Sequence, residues 1–337
     1  MTITRRLVLG SLGALALPRP GFAADREITD MAGRKVKLST KIRRTVTLGS
    51  LPVINSFVYA MAEGSTIVNG LADFARAHWK YQTVFAPTIA GKPVMQQPNR
   101  EPNVEAIMLA APDVVLTMHR EHVDMLASRG VPVVFLSWQQ PEDVKECMAV
   151  LGQVYGKPER AARYQRYFDE TLARVSAALA PVPKDQRPTV LYFQPSTLTQ
   201  PRLIAEWWIP AAGGISVTDD GRTTESKTFS LEQLVKWDPD ILIVTESRDI
   251  ERLKTDRVFS QLKAVKAGKV YVVPVGAHTW SNRTAEQPLT VLWAAETFHP
   301  GRVKDLNLAA ETKRFYREFF DRVLPDAAVT EILSGTL

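Results

Sequence analysis

Cysteine is nearly absent from this chain: Cys147 is the only one in 337 residues. An intrachain disulfide and a cysteine-built metal site are therefore excluded, and no cysteine stands near the N-terminus to carry a lipid. Histidine is scarce too, at five residues, so nitrogen ligands for a bare metal ion are few. Long apolar runs are missing. The longest, residues 7–17, falls well short of the roughly 20 residues that span a bilayer. Four enzyme signatures are also missing: the G-x-S-x-G elbow, the H-E-x-x-H zinc motif, the G-x-x-x-x-G-K phosphate loop and the G-x-G-x-x-G dinucleotide fingerprint. Ala212-Gly213-Gly214 reads as a turn. Carboxylates alone do not restore an enzyme reading, so the chain is read as a non-enzyme; an exported enzyme acting on a chelate is the rival of another class.

Nor is there a strong excess of one charge. The formal +6 becomes +3 once Arg5, Arg6 and Arg19 are set aside with residues 1–23. That is not the footprint of a nucleic-acid binder, though it is compatible with an anionic small ligand. Those first residues read as a cleavable export signal. Arg5-Arg6 precedes the apolar run, and Pro18, Pro20, Gly21 and Ala23 follow it, with cleavage expected after Ala23. The segment 4–9 also resembles a twin-arginine signal. A free periplasmic protein is expected. The mature chain of more than 300 residues exceeds one ordinary hydrophobic core, so two lobes are expected.

What is present is a weak internal repeat. Residues 103–116 and 230–244 both read as a short capped helix, a Pro-Asp pair and a β-branched strand, with the glutamate and the Pro-Asp equally spaced in each. Asn103 and Ser230 suit the N-cap because their side chains accept hydrogen bonds from unpaired helix N–H groups. Proline stops each helix, and the apolar run behind it suits a buried strand. Strands are predicted over 45–48, 67–70, 114–117 and 133–136, then over 190–193, 241–245 and 270–273. Alternation with helices predicts an α/β fold: two Rossmann-like lobes with mainly parallel sheets. Ligands of such lobes bind beyond the carboxyl ends of the strands. Between the halves, residues 158–180 open on Pro158-Glu159, hold strong helix formers and are followed by Pro181 and Pro183. They predict one stiff helix about 30 Å long. The expected organisation is a signal at 1–23, a first lobe at 24–157, the connecting helix at 158–181 and a second lobe at 182–337. A last helix is predicted over 308–323.

With these marks in order, the chain resembles the class III periplasmic substrate-binding proteins of ABC importers that handle siderophores, cobalamin and haem. The resemblance covers nearly the whole mature chain. It rests on Asn103-Val104-Glu105 before Pro112-Asp113, the single long helix, Ser230-Leu231-Glu232 before Pro239-Asp240, and the stretch 278–300 with Trp280, Arg283 and Trp293. It implies a shallow interlobe cleft, small closure on binding, a monomer, and transient docking on an inner-membrane permease through one glutamate per lobe. Glu105 and Glu232 occupy those two places. A first-turn glutamate is also favoured by the helix dipole alone.

The candidate ligand-binding residues lie in loops: His78 and Tyr81, His119, Trp138, Trp207 and Trp208, Arg222, and His278, Trp280 and Arg283. Aromatic walls with a few polar groups suit a large chelate, and arginine adds recognition of carboxylate or catecholate oxygens. Trp207 and Trp208 are neighbours and cannot both face one way. His119 with His122 could share a helical face as metal ligands, yet histidine pairs more often serve as ordinary polar groups. His78, Tyr81 or His278 could ligate haem or chelated iron. No intrinsic cofactor is expected, and the metal is expected to arrive inside the ligand. A ferric siderophore is favoured because arginines accompany the aromatics. Cobalamin or another corrinoid, haem, a nickel or cobalt chelate, and a molybdate-type oxyanion are the alternatives.

Overall fold

The computed structural model describes residues 26–201, 205–221 and 226–336. The proposed signal and Arg222 lie outside the described residues. In the first lobe, Thr45–Leu48, Val114–Thr117 and Val133–Phe135 pair side by side, all parallel. In the second, Val270–Val272, Ile241–Val244, Thr189–Tyr192 and Ile215–Ser216 do the same. The strand expected over 67–70 is reduced to one parallel bridge, Ile67 to Thr45. Beyond it the Gly70 N–H donates to the Pro93 carbonyl, which draws the chain away from the sheet. The hairpin Arg26–Thr29 with Lys35–Leu38 and the edge strand Ile215–Ser216 have no counterpart in the sequence reading.

The repeat is visible atom by atom. Asn103 accepts from the Ala106 N–H and Ser230 from the Gln233 N–H, each at 3.1 Å. The helices Val104–Ala110 and Leu231–Trp237 both run seven residues. Each ends on a residue in the left-handed region, Ala111 at φ 42° and Asp238 at φ 35°. A side chain there costs about 1 kcal/mol, and the following proline bars the ordinary helical alternative. The aspartate after each proline then reaches the neighbouring strand. Asp113 Oδ2 accepts the Arg43 and Arg44 N–H groups at 2.7 and 2.9 Å. Asp240 Oδ2 accepts the N–H and hydroxyl of Thr189 at 2.8 and 2.7 Å. Pro-Asp therefore both stops a helix and ties its strand to the start of the next parallel strand.

The two sheets share one interior. Along each central strand alternate residues face opposite ways, as the pleat requires. Val114 and Leu116 of the first lobe, with Ile241 and Ile243 of the second, belong to a single continuous apolar cluster. Val115 packs in an outer cluster of its own lobe, and Leu242 and Val244 do so in theirs. Alongside the shared cluster runs the helix Pro158–Leu179, 22 residues long. It buries Ala161, Tyr164, Tyr167, Phe168, Thr171, Val175 and Leu179, mostly in steps of three or four residues that draw one stripe along the helix. That stripe meets Pro141–Tyr155 of the first lobe and Gln287–Phe298 of the second.

Arg160 completes the fastening. Its Nε donates to the Ala60 carbonyl at 2.8 Å and its Nη2 to the Phe319 carbonyl at 2.7 Å. Those carbonyls end the helices Leu51–Ala60 and Leu308–Phe319, one in each lobe. A cation at two helix C-termini satisfies orphan carbonyls and favours both dipoles. The helix predicted over 308–323 stops at Phe319, and a further helix, Asp326–Ser334, follows Pro325. Tyr81 of the first lobe donates to Glu331 Oε2 on that final helix at 2.9 Å, and Lys80 pairs with the same glutamate.

Candidate functional site: the interlobe cleft

The carboxyl ends of the parallel strands open onto one side of the molecule, as crossover topology dictates. On the first lobe the strand Thr45–Leu48 runs into Gly49 and Ser50 before the helix Leu51–Ala60. Gly49 sits at φ +95°, and a Cβ on it would lie 2.8 Å from the His119 ring and 2.9 Å from Met118. Only glycine fits there. Gln96 holds this turn with both ends of its amide, accepting the Gly49 N–H at 2.7 Å and donating to the Gly49 carbonyl at 2.9 Å.

Beside that turn lies a cavity of about 490 Å³. Leu51, Pro52, Leu71, Val94 and Trp79 supply apolar wall, and Gln96, Gln97, Arg100 and His278 supply polar groups. His278 comes from the second lobe. Its ring stacks on Trp79, centroids 4.1 Å apart and planes within 20°. Burial above all pushes its imidazole down to about 3, and the charges of His78 and Arg283 push the same way. At neutral pH the stacked ring is uncharged.

The second lobe's rim is of another kind. Two depressions of about 330 and 320 Å³ lie beyond the strands Thr189–Tyr192 and Ile241–Val244. Gln194, Ser196, Glu246, Asp249, Arg248 and Arg252 line the first; His78, Ser247, Arg248 and Val275 are among those lining the second. Burial, with Glu246 nearby, raises the Asp249 carboxyl above its ordinary value.

Beneath the stack, a chain of hydrogen bonds crosses between lobes. Gln82 donates to the Ala277 carbonyl at 2.6 Å and accepts from Asn55 at 2.9 Å. The Ala277 N–H donates to Glu286 Oε1 at 2.7 Å, which also accepts from the Tyr316 hydroxyl at 2.6 Å. Glu286 is fully buried, and burial pushes its carboxyl up to about 7 although both donors pull it down.

The sequence candidates separate into two groups. His278, with Trp79 beside it, lines the main cavity, and His78 borders the smaller depression. Arg283 is half-buried close enough to His278 to act on its titration. The tryptophans and Tyr81 face inward. Trp280 is buried with its indole N–H on Tyr316, 3.3 Å away. Trp208 is buried, donates to the Ala205 carbonyl at 2.8 Å, and packs on Tyr192, Trp293 and Phe298. Trp138 packs on Phe57, and Trp207 stacks on Phe168 of the connecting helix. Tyr81 spends its hydroxyl on the final helix. His119 lies behind Gly49, outside the cavity lining. Glu105 and Glu232 are exposed, each in the first turn of its repeat helix. Gly49, Gln96, Arg100, Arg248 and Arg252 line the cleft without having been singled out; a glycine between a strand and a Ser-Leu-Pro helix start was the one available signal.

Comparison with known proteins places this architecture. The family described as periplasmic binding protein matches residues 65–275. A periplasmic solute binding protein from Veillonella parvula superposes with a TM-score of 0.80 at 27% identity, covering 91% of this chain and 96% of that one. The molybdate-binding protein MolA of Haemophilus influenzae is 22% identical over 88% of this chain and 91% of its own length. Its molybdate-bound structure superposes with a TM-score of 0.77 at 20% identity, over 89% and 99% of the two chains. The iron-uptake system-binding protein of Bacillus subtilis is 24% identical over 54% of this chain and 62% of the relative.

Proposed function

The chain belongs to the periplasmic binding protein family, and from that premise we propose that it captures a ferric siderophore in the interlobe cleft for an ABC importer. The family is a non-catalytic one whose members work with a small-molecule ligand and a cognate permease; the siderophore is our reading. It rests on the cavity that pairs an apolar and aromatic wall with Arg100, together with Arg248 and Arg252 on the second lobe's rim. A volume of about 490 Å³ is in the range of sites that enclose drug-sized molecules. Apolar wall seats the organic part of a chelate, and guanidinium groups pair with its anionic oxygens.

A molybdate-type oxyanion is the second reading, favoured by the likeness to MolA over most of both chains. Such an ion would use the arginines and leave Leu51, Leu71 and Val94 without a role. Because Trp79 lines the cavity, tryptophan fluorescence can separate the two. Titration with catecholate and hydroxamate ferric siderophores, cobalamin, haem, a nickel chelate and molybdate should give a submicromolar response to a siderophore. Saturation by molybdate, with no chelate able to compete, would reverse the assignment.

Docking on the permease is assigned to Glu105 and Glu232. In support, both carboxylates are exposed at matching places in the repeat, and large apolar side chains stand exposed on the same two helices: Met108 and Leu109 on one, Leu231 and Val235 on the other. Export by a signal cleaved after Ala23 completes the proposal, and N-terminal sequencing of the periplasmic form tests it.

A further inference from the structure

Arg100 joins the cavity lining on a backbone that favours another residue. Pro98, Asn99 and Arg100 form a tight hairpin loop closed by Gln97 and Glu101. The Arg100 N–H donates to the Gln97 carbonyl at 2.8 Å, and the Gln97 N–H to the Glu101 carbonyl at 2.8 Å. Three-residue hairpin loops recur as a turn followed by one left-handed residue, and that place favours glycine. Arg100 fills it at φ 71°. Its Cβ keeps a steric strain there that a single substitution relieves. Strain held at a cavity points to a use for the side chain. The guanidinium is exposed and makes no hydrogen bond or ion pair among the described residues.

The root of this loop is fixed from two directions. Gln96 and Pro102 bridge antiparallel beneath it, and the Asn103 N–H donates to the carbonyl of buried Met95 at 2.9 Å. Gln96 then reaches across to the end of the first strand. Its amide grips Gly49 from both sides, accepting the N–H at 2.7 Å and donating to the carbonyl at 2.9 Å. A side-chain amide with one donor and one acceptor on the same residue acts like a rung of a sheet, setting distance and direction together. Gly49, Gln96 and Arg100 all line the cavity. We propose that Gln96 is a positioning residue: braced on Gly49, it fixes where the strained loop presents the Arg100 guanidinium to the anionic oxygens of the cargo.

The brace matters because of what carries each arginine. Arg248 and Arg252 stand on the helix Arg248–Thr255, which holds its own geometry. Arg100 rides a loop and takes its place from the loop's root. A guanidinium pairs with anionic oxygens through a planar fork, so a small shift of the loop loses the paired bonds. The inference rests on the cleft being the cargo site. It holds for a siderophore or an oxyanion alike, since both present anionic oxygens.

The probes are a ferric tris-catecholate siderophore, a ferric hydroxamate siderophore and molybdate, titrated by tryptophan fluorescence; whichever the wild type binds carries the test. Arg100→Ala should weaken it ~10-fold and Gln96→Met ~5-fold. In the Arg100→Ala background, Gln96→Met should cost no further affinity. Both single losses should shrink as salt is raised, because each removes the same charge contact. Arg100→Gly should combine the ~10-fold loss with a thermal midpoint raised by about 2 °C. Near-UV circular dichroism checks each fold, and Gln96→Ala, which leaves room for water at Gly49, stands in if the methionine variant does not fold. An equal loss from Gln96→Met with and without Arg100 would overturn the inference and leave the cargo reading in place. So would Arg100→Gly binding like the wild type, or a midpoint that fails to rise. Molybdate binding with the coupling intact would keep the inference and remove the siderophore; a cleft that binds none of the three would end both.

Discussion

The two rims of the cleft are built on the same helix–Pro-Asp–strand repeat, yet their chemistry is opposite. The first lobe presents Leu51, Pro52, Leu71, Val94 and Trp79 around the larger cavity, with Arg100 as the one full charge among its described lining residues. The second presents Glu246, Arg248, Asp249 and Arg252 around a smaller depression. A shared scaffold therefore dictates where ligand loops gather but not what they carry. On the proposed reading, one lobe would supply area to bury and the other charge to orient the ligand.

That contrast can be broken from below, at the floor both rims stand on. Glu286 and His278 titrate with opposite consequences. The Glu286 carboxyl ordinarily ionises near 4.5 and is raised to about 7. The native state thus holds an extra proton between those values, and stability falls as pH rises through them. The His278 ring ordinarily titrates near 6.5 and is lowered to about 3. There the unfolded state holds the extra proton, and stability rises with pH. In the wild type the two slopes oppose each other between roughly 4.5 and 6.5. His278→Gln should expose the Glu286 slope, a loss of about 3 kcal/mol as pH rises to neutral. Glu286→Gln should expose the reverse slope. Urea midpoints measured across this range check both, and slopes of one sign in the two variants would refute the pairing.

The remaining tests sharpen the contrast itself. Trp79→Ala removes the aromatic wall and the stack on His278, and should weaken the cavity's ligand by about 2 kcal/mol, some 30-fold. Arg248→Ala/Arg252→Ala acts at an exposed rim and should cost about 1 kcal/mol, an effect that shrinks as salt is raised. Titration of each variant at two ionic strengths separates burial from charge: equal salt dependence for both would erase the division between rims. Smallest of all, Glu105→Ala/Glu232→Ala should leave ligand affinity unchanged in the same titration while uptake by cells falls.

Much of the scaffold was legible because its signals are local. Asn103, Ser230 and the two Pro-Asp pairs each announce a cap or a stop within a few residues, and the 158–180 segment carries its own start and end. The helix Pro158–Leu179 accordingly ends within a residue of expectation. The cleft was harder to read because facing is not a local property. Trp280 follows a strand end, where loops gather, yet its ring turns down onto Tyr316 and into the core. Trp208 and Trp138 do likewise. Arg100 reaches the cavity on a loop that passes through φ 71° at that residue, a bend no spacing in the sequence announces. The edge strand Ile215–Ser216 is two residues long, too short for any alternation to show.

The continuous cluster beneath both sheets has a consequence for how the polypeptide reaches this state. Val114 and Leu116 complete an interior that Ile241 and Ile243 also line, so neither half owns a finished core. Cut apart in the loop after the connecting helix, each half would be left with apolar surface that water must cover. The repeat shows one pattern used twice, but its copies share one interior, so the two halves are expected to unfold together in one step.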